Sequence, residues 1–244
     1  MNRYLICGAT SAVAGKFIER VIQKGHKVVL VGRNEQKINA LTNHYNTIKP
    51  SSVIDTFLLD FNKTSEHQAL ANKMETWKIT DILCSWGILG DDKIAQVNSN
   101  HAVEIVNSNF TSYVSLLATI TPYFEKQNNG SITVITSVAG DRGRQSNYTY
   151  GSAKGALSIY LDGMRHRFAS TGVNIIDIKP GFIDTPMTSE LKKGALWAKP
   201  EKIATDIERA IIHSKPKIYT PFFWRYIMYV IKNIPYFIFK KLKI

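Results

Sequence analysis

Six short apolar stretches, rich in β-branched residues, recur along this 244-residue chain and limit its fold more than any other feature. They cover residues 4–7, 27–31, 53–59, 80–86, 131–136 and 173–179. The segments between them are longer and carry apolar residues at helical spacing, as at Phe17, Ile18, Val21 and Ile22. Strands that alternate with helices predict βαβ units and therefore an α/β fold, with one doubly wound parallel sheet covered by helices on both faces.

Charge is unevenly distributed along the chain, whose net charge is +12. No acidic residue follows Glu208, but eight basic residues do. They are Arg209, Lys215, Lys217, Arg225, Lys232, Lys240, Lys241 and Lys243. Aromatic and aliphatic residues separate these charges after residue 220. We therefore divide the chain into a folded domain, residues 1–215, and an apolar-basic helical tail, residues 216–244.

The composition of the tail predicts where it binds. Aromatic rings with only positive charge are typical of segments that lie in the interface of an anionic membrane. The apolar run between Arg225 and Lys232 is too short to span a bilayer, and Pro235 interrupts the helix. The alternative is packing against a sister subunit in a homo-oligomer. A nucleic-acid arm is disfavoured because the tail is too apolar and has no recognition motif.

Two further features of the sequence bear on the location of the protein and on its cysteines. No signal peptide precedes the first strand, so we expect a cytoplasmic protein that is peripheral on the inner face of the membrane. Cys7 and Cys84 lie far apart, form no metal-ligand pattern and are expected to be buried hydrophobes.

The turn after the first strand has the small residues that a nucleotide pyrophosphate needs. It reads Cys7-Gly8-Ala9-Thr10-Ser11-Ala12-Val13-Ala14-Gly15 and leads straight into a helix, whose N–H groups can bind phosphate oxygens. Alanines replace two of the usual glycines, so a purely structural tight turn is the alternative. The arrangement predicts a Rossmann-type dinucleotide site.

Arg33 at the end of the second strand indicates which dinucleotide binds. An acidic residue there would bond both ribose hydroxyls and select NAD(H), whereas an arginine fork suits a 2′-phosphate. We therefore favour NADP(H) over NAD(H); a solvated surface arginine is the alternative. Further along, Asp60-Phe61 and Trp86-Gly87 close the third and fourth strands, where an acid can bind adenine and a glycine lets the backbone approach the cofactor.

Ser137, Tyr150 and Lys154 carry the catalytic prediction. Ser137 follows a buried strand, and Tyr150 and Lys154 are four residues apart, on one face of a predicted helix. A free tyrosine has a pKa of about 10, and a nearby ammonium is expected to lower it towards working pH. Tyr148 is an alternative to Tyr150.

With the glycine-poor turn, this spacing closely resembles the short-chain dehydrogenase/reductase family over residues 3–190. The resemblance implies that Tyr150 transfers the proton, Ser137 bonds the reacting oxygen, Lys154 binds the nicotinamide ribose, and Asn109 holds a relay water. It also implies a nicotinamide-side loop at 179–185. The cofactor residues implied are Gly8, Thr10, Ser11, Ala12, Val13, Arg33, Asp60, Phe61, Trp86, Gly87, Tyr150, Lys154, Pro180, Gly181, Ile183 and Thr185.

A narrower resemblance concerns the substrate. Residues 86–91, 137–144 and 180–188 and the tail are similar to decaprenylphosphoryl-2-keto-erythropentose reductases, which work alongside a flavin-dependent oxidase. This implies reduction of a keto-sugar on polyprenyl phosphate, with substrate contacts at Leu89, Arg142, Arg144 and Met187; loop arginines that are merely solvated are the alternative. A soluble ketone or 3-oxoacyl thioester is the alternative substrate, and a non-catalytic nucleotide-binding subunit the third hypothesis.

Overall fold

The computed structural model describes residues 1–190 and 192–242 and contains one parallel sheet of seven strands. The strands are β1 (Arg3–Cys7), β2 (Lys27–Gly32), β3 (Val53–Leu58), β4 (Asp81–Cys84), β5 (Gly130–Ile135), β6 (Val173–Pro180) and β7 (Lys217–Thr220). Their spatial order is β3-β2-β1-β4-β5-β6-β7, and every adjacent pair is parallel. The order reverses between β1 and β4, which places a ligand crevice at the carboxyl ends of these strands.

Ten α-helices are described in the same residues. They are α1 (Ala12–Gln23), α2 (Glu35–Ile48), α3 (His67–Trp77), α4 (Asp92–Ala95), α5 (Ser99–Val106), α6 (Ser112–Gln127), α7 (Tyr148–Arg167), α8 (Pro200–Ile212), α9 (Trp224–Asn233) and α10 (Tyr236–Phe239). A π-helical turn, Asn107–Thr111, joins α5 to α6, and a 3-10 turn, Val138–Asp141, follows β5.

Each face of the sheet buries its own hydrophobic core. Alternate residues of β1 show the division: Leu5 packs in the core beneath α3, α6 and α7, and Ile6 packs in the core beneath α1, α2 and α8. Side chains that alternate along a strand while both faces are apolar require helices on both sides of the sheet. The predicted doubly wound α/β fold is confirmed.

The end of the chain departs from the predicted division at residue 215. Residues 217–220 form β7, which pairs with β6, so the sheet extends past that boundary. The short strand escaped the sequence analysis because Pro216 and Pro221 bracket four residues of mixed polarity. The tail that follows contains α9, which ends before Pro235, and α10; the predicted tail cation Lys243 lies outside the described residues. Among the described residues, no helix combines the length and hydropathy needed to cross a bilayer.

Candidate active site

Four predicted catalytic residues meet above the carboxyl ends of β4 and β5. Asn109 comes from the π-helical turn, where the helix gains an extra residue, as often occurs at functional sites. Ser137 lies two residues after the end of β5, and Tyr150 and Lys154 lie in α7. The structure therefore brings together residues that are 45 positions apart in sequence.

Glycines determine how closely the loop after β5 approaches α7. A Cβ added to Gly140 would lie 2.5 Å from the Gly155 nitrogen, and one added to Gly155 would lie 2.7 Å from the Gly140 oxygen. A Cβ on Gly151 would lie 2.8 Å from the Ala139 oxygen. The segment that carries Ser137 thus packs backbone to backbone on the helix that carries Tyr150 and Lys154. We call this contact the glycine seam.

Ser137 and Tyr150 interact directly, since a hydrogen bond between their side chains acts to lower the pKa of the tyrosine. Burial outweighs it and raises the pKa of Tyr150 to about 12. Tyr148, the alternative candidate, is 46% exposed at the start of α7. The structure favours Tyr150 as the tyrosine that faces Ser137.

Lys154 is buried, and its ammonium donates to the Ile135 carbonyl at 3.2 Å. Its nitrogen lies 6.0 Å from the centre of the Tyr150 ring, and burial lowers the Lys154 pKa to about 7, against a raising effect of Asp177. The predicted lowering of the Tyr150 pKa by Lys154 is therefore not seen, because burial raises the tyrosine pKa and lowers that of the lysine. Both groups are desolvated, and desolvation favours the neutral form of each.

Asn109 is fully buried, and one of its polar atoms has no partner. Its Nδ2 donates to the carbonyls of Ile88 at 2.7 Å and Ile105 at 2.9 Å. Its Oδ1 is buried and has no hydrogen-bond partner among the described residues. A Cβ on Gly87 would lie 2.4 Å from this Oδ1 and 3.7 Å from the Lys154 nitrogen. The site thus holds an unsatisfied acceptor near Lys154, as a bound water or ligand group would require.

The predicted phosphate turn has the required backbone geometry. Gly8 has φ +83°, and a Cβ there would lie 2.9 Å from the backbone of Ser85. Ser11 precedes α1 without capping it through its side chain, which leaves first-turn N–H groups available to a phosphate. Ala12 and Val13 begin the helix, and Thr10 is exposed. These residues fit a nucleotide pyrophosphate.

Arg33 is exposed at the end of β2, and Asp60 is half-buried at the end of β3, where its carboxylate accepts from the Asn62 nitrogen at 3.1 Å. Phe61 and Trp86, also predicted at the cofactor site, use their rings for packing. Trp86 stacks on Phe61 at a centroid distance of 4.1 Å and on Tyr113 at 3.7 Å. Because their side chains pack in the core, Phe61 and Trp86 could contact a cofactor only through their backbone atoms.

The nicotinamide-side loop packs against the start of α9. A Cβ on Gly181, next to Pro180, would overlap the indole of Trp224. Beyond it, Ile183 pairs with Ala198 in an isolated bridge, and Thr185 precedes the 3-10 turn Pro186–Thr188. The loop that would cover a nicotinamide is thus anchored to the C-terminal segment.

The predicted substrate residues have different surroundings. Arg142 donates to the carbonyls of Ile231, Lys232 and Ile234 and lies 3.7 Å over the Phe239 ring, so the structure assigns it to the tail instead of a substrate phosphate. Arg144 is half-buried, burial lowers its pKa, and its Nε has no hydrogen-bond partner in the described part of the chain. Leu89 is half-buried, and Met187 is 49% exposed.

A buried charged cluster beside the site was missed by the sequence analysis. The Lys179 ammonium lies 2.5 Å from the Asp141 carboxylate, and both side chains are at most 5% exposed. The Tyr219 hydroxyl donates to the same carboxylate at 2.8 Å. Asp177, 4.0 Å from Lys179, accepts from Thr136 at 2.5 Å. The only signal in the sequence was that Asp141 and Lys179 flank Gly140 and Pro180.

Among the described residues, no group of acidic, cysteine or histidine side chains could hold a metal ion, and Cys7 and Cys84 are buried free thiols.

Known proteins share this sequence pattern. A model of the short chain dehydrogenase family matches residues 2–195. An uncharacterized oxidoreductase of Mycobacterium tuberculosis H37Rv is 28% identical over 242 residues, which are 98% of this chain and 96% of the relative. One from Staphylococcus epidermidis RP62A is 28% identical over 212 residues, 86% of this chain and 89% of the relative.

Solved structures share the fold. A short-chain dehydrogenase of Sphingobium yanoikuyae in complex with NADPH has a TM-score of 0.84 at 18% identity, covering 97% of each chain. The actinorhodin polyketide ketoreductase with NADPH has a TM-score of 0.76 at 18% identity, covering 86% of this chain and 90% of that one. Because the family match spans both the phosphate turn and the catalytic helix, the chain belongs to the short-chain dehydrogenase/reductase family and is an NAD(P)-dependent oxidoreductase.

Proposed function

We propose that this enzyme uses NADP(H) to reduce a carbonyl to an alcohol, and that its substrate is a 2-keto-pentose carried on polyprenyl phosphate. The observation that supports reduction is the place of Tyr150, which lies in α7 beside Ser137 at the crevice above the strand ends. Its phenol is protonated at neutral pH, so it can serve as the proton donor to a carbonyl oxygen bound there. A proton donor next to the reacting oxygen suits reduction.

The chain's own residues divide the work of the reaction. Gly8, Ser11 and the amino end of α1 would hold the pyrophosphate, and Arg33 the 2′-phosphate that distinguishes NADP(H). When bound, the cofactor supplies the hydride. The Ser137 hydroxyl orients the carbonyl oxygen, and Tyr150 donates the proton to that oxygen.

Asn109 and Lys154 complete the proton path. The unpartnered Asn109 Oδ1 would accept from a water, which connects the site to solvent and reprotonates Tyr150. Lys154 lies within reach of Tyr150 and would bind the nicotinamide ribose.

Support for the lipid-linked keto-sugar comes from the resemblance of residues 86–91, 137–144 and 180–188, and from an apolar tail packed directly beside the site. Arg144, with its free Nε, is the remaining candidate for a substrate phosphate. A flavin-dependent oxidase that supplies the keto-sugar is the proposed partner enzyme, at the cytoplasmic face of the membrane.

NADPH oxidation tests the proposal with three substrates: a polyprenyl-phosphoryl 2-keto-pentose, the same keto-sugar without lipid, and a 3-oxoacyl thioester. We expect turnover only with the lipid-linked substrate. Tyr150→Phe should lower kcat by about 10²- to 10⁴-fold, and the matched control Tyr148→Phe should not.

Turnover of the soluble ketones alone would reject the lipid-linked substrate and keep the reductase. Equal activity of Tyr150→Phe and the native enzyme would reject the catalytic assignment itself.

A further inference from the structure

The two faces of α9 differ in what they contact. On the inner face, Trp224 is 3% exposed and Met228 is fully buried, and both pack on Val138, the neighbour of Ser137. On the outer face, Tyr226 is 65% exposed and Tyr229 is 70% exposed. The inner face anchors the helix to the catalytic loop and leaves large aromatic rings in water on the other side.

The exposed rings continue before and after this helix. Phe222 is 70% exposed before α9, and Tyr236 and Phe237 are 74% and 65% exposed in α10. Within α9, Tyr226, Tyr229 and Val230 are exposed and share one helical face by their spacing. Exposed apolar side chains are normal when scattered, but a contiguous group of this size marks an interaction surface. We call the exposed side chains of residues 222–242 the tail surface.

Charge indicates what covers the tail surface. Its charged residues are all basic: Arg225, Lys232, Lys240 and Lys241 are exposed, and no acidic residue follows Glu208. Arg225 and Lys232 also line a cavity of about 880 Å³ together with Tyr219, Tyr226, Tyr229 and Asn233. Two cations and the two exposed tyrosines Tyr226 and Tyr229 around one depression suit a phosphate headgroup, which needs both charge and hydroxyl donors. The Tyr219 hydroxyl is already bonded to Asp141.

A second copy of the chain is a poorer occupant. In a two-fold interface the same patch meets itself, so Arg225 and Lys232 would face their own counterparts without any acidic partner from this segment. Aromatic rings flanked by lysines instead match the level of lipid headgroups.

From these contacts we infer that the tail surface binds the headgroup region of an anionic lipid bilayer. Rings of α9 and α10 enter the interface, and Arg225 and Lys232 bind lipid phosphates. Arg142, bonded to carbonyls at the end of α9 and stacked on Phe239, fixes the bound segment to the loop of Ser137. Docking would then place the catalytic crevice at the bilayer. This inference does not depend on which carbonyl compound the enzyme reduces.

Sedimentation of the full-length protein with vesicles tests this inference. Vesicles of phosphatidylcholine alone are compared with vesicles in which about one lipid in three is phosphatidylglycerol, so that the surface is anionic. We expect binding only to the anionic vesicles, and loss of most of it at high salt, because screening removes attraction to the headgroups.

Two double variants separate the contribution of the basic residues to vesicle binding from that of the aromatic rings. Arg225→Ser/Lys232→Ser should bind anionic vesicles about 25-fold more weakly, because each basic residue near such a surface contributes roughly a fivefold effect. Tyr229→Ser/Phe237→Ser should weaken binding about tenfold, since less apolar area enters the interface. The matched controls, Lys49→Ser/Lys73→Ser and Ile212→Ser, change exposed residues elsewhere and should bind normally.

Three results would overturn the inference. One is equal binding to neutral and anionic vesicles, and another is unchanged binding of both tail variants. The third is a dimer in vesicle-free buffer that Tyr229→Ser/Phe237→Ser converts to monomer, because the surface would then belong to a second copy. Unfolding midpoints of all variants, measured alongside, show that each is folded.

Discussion

The two halves of the sheet use their charged residues differently. At the β1–β3 end, Arg33 is exposed, and the phosphate turn is built from backbone and small side chains. At the β5–β7 end, Lys154, Asp177 and Lys179 are each at most 4% exposed and interact within the core. A side chain at the first end can therefore change without disturbing the fold, whereas one at the second end affects stability and catalysis together. Under the proposed function, cofactor preference and chemistry therefore depend on physically separate parts of the sheet.

The largest expected effect breaks the buried pair at the β5–β7 end. Lys179→Met leaves the Asp141 carboxylate buried with Tyr219 as its one remaining side-chain donor among the described residues, and should lower the free energy of unfolding by about 3–5 kcal/mol. Urea denaturation measures it. Lys126→Met removes the equivalent but exposed pair with Glu75 and should change nothing measurable. Equal losses in the two variants would remove the distinction between buried and exposed charges.

A pH series sharpens the comparison at Lys154. Its folded pKa of about 7 lies below the ordinary lysine value, so between pH 7 and about 10 the unfolded chain binds more protons than the native one. Ligand-free native protein should therefore gain stability relative to Lys154→Met as pH rises, by about 2 kcal/mol from pH 7 to 9. Denaturation of both proteins across this range checks it, and a flat difference would contradict the lowered pKa.

Arg33 tests the opposite end of the sheet. Arg33→Ala should raise the KM for NADPH about 10- to 100-fold, because a charge-assisted hydrogen bond contributes about 1.5–3 kcal/mol. The KM for NADH and the unfolding midpoint should stay constant. The control Lys37→Ala removes an exposed charge one turn away. An equal change for both cofactors would show that Arg33 does not read the 2′-phosphate.

The smallest expected effect concerns the link between tail and catalytic loop. Arg142→Lys keeps the charge but loses the planar fork over Phe239, at a cost of about 1 kcal/mol. Hydrogen exchange in α9 and α10 should become faster, with a few-fold loss of turnover. Arg209→Lys, exposed on α8, is the matched control. Unchanged exchange would mean that the tail is held by its inner apolar face alone.

Local patterns predicted what local physics determines. The six predicted strands lie within about two residues of those observed, because apolar runs bounded by small or polar residues can be recognised from the sequence alone. Helical spacing and strand ends predicted that Ser137, Tyr150 and Lys154 lie together, and the structure places them close to one another. Asn109 required the family resemblance, since nothing about an asparagine in a helix indicates an unpartnered oxygen.

Contacts between charged residues that lie far apart in the chain could not be predicted from the sequence. Asp141 and Lys179 meet only because β5 and β6 are neighbours, and no local pattern shows that a charge will be buried. Arg142 was assigned to a substrate phosphate because a loop arginine next to the catalytic segment is a common anion contact. The tail that takes up its donors folds back from about 90 residues away.

The glycine seam has a consequence for how the enzyme diverges. Since backbone meets backbone there, the distance between Ser137 and Tyr150 does not depend on the volumes of neighbouring core side chains. Hydrophobic residues elsewhere can be exchanged over long periods without moving the reacting groups apart. At Gly140, Gly151 and Gly155 even the smallest side chain, a methyl group, would push the loop and the helix apart. Substitution of these three glycines is therefore expected to disturb the site more than an exchange of apolar residues in the core.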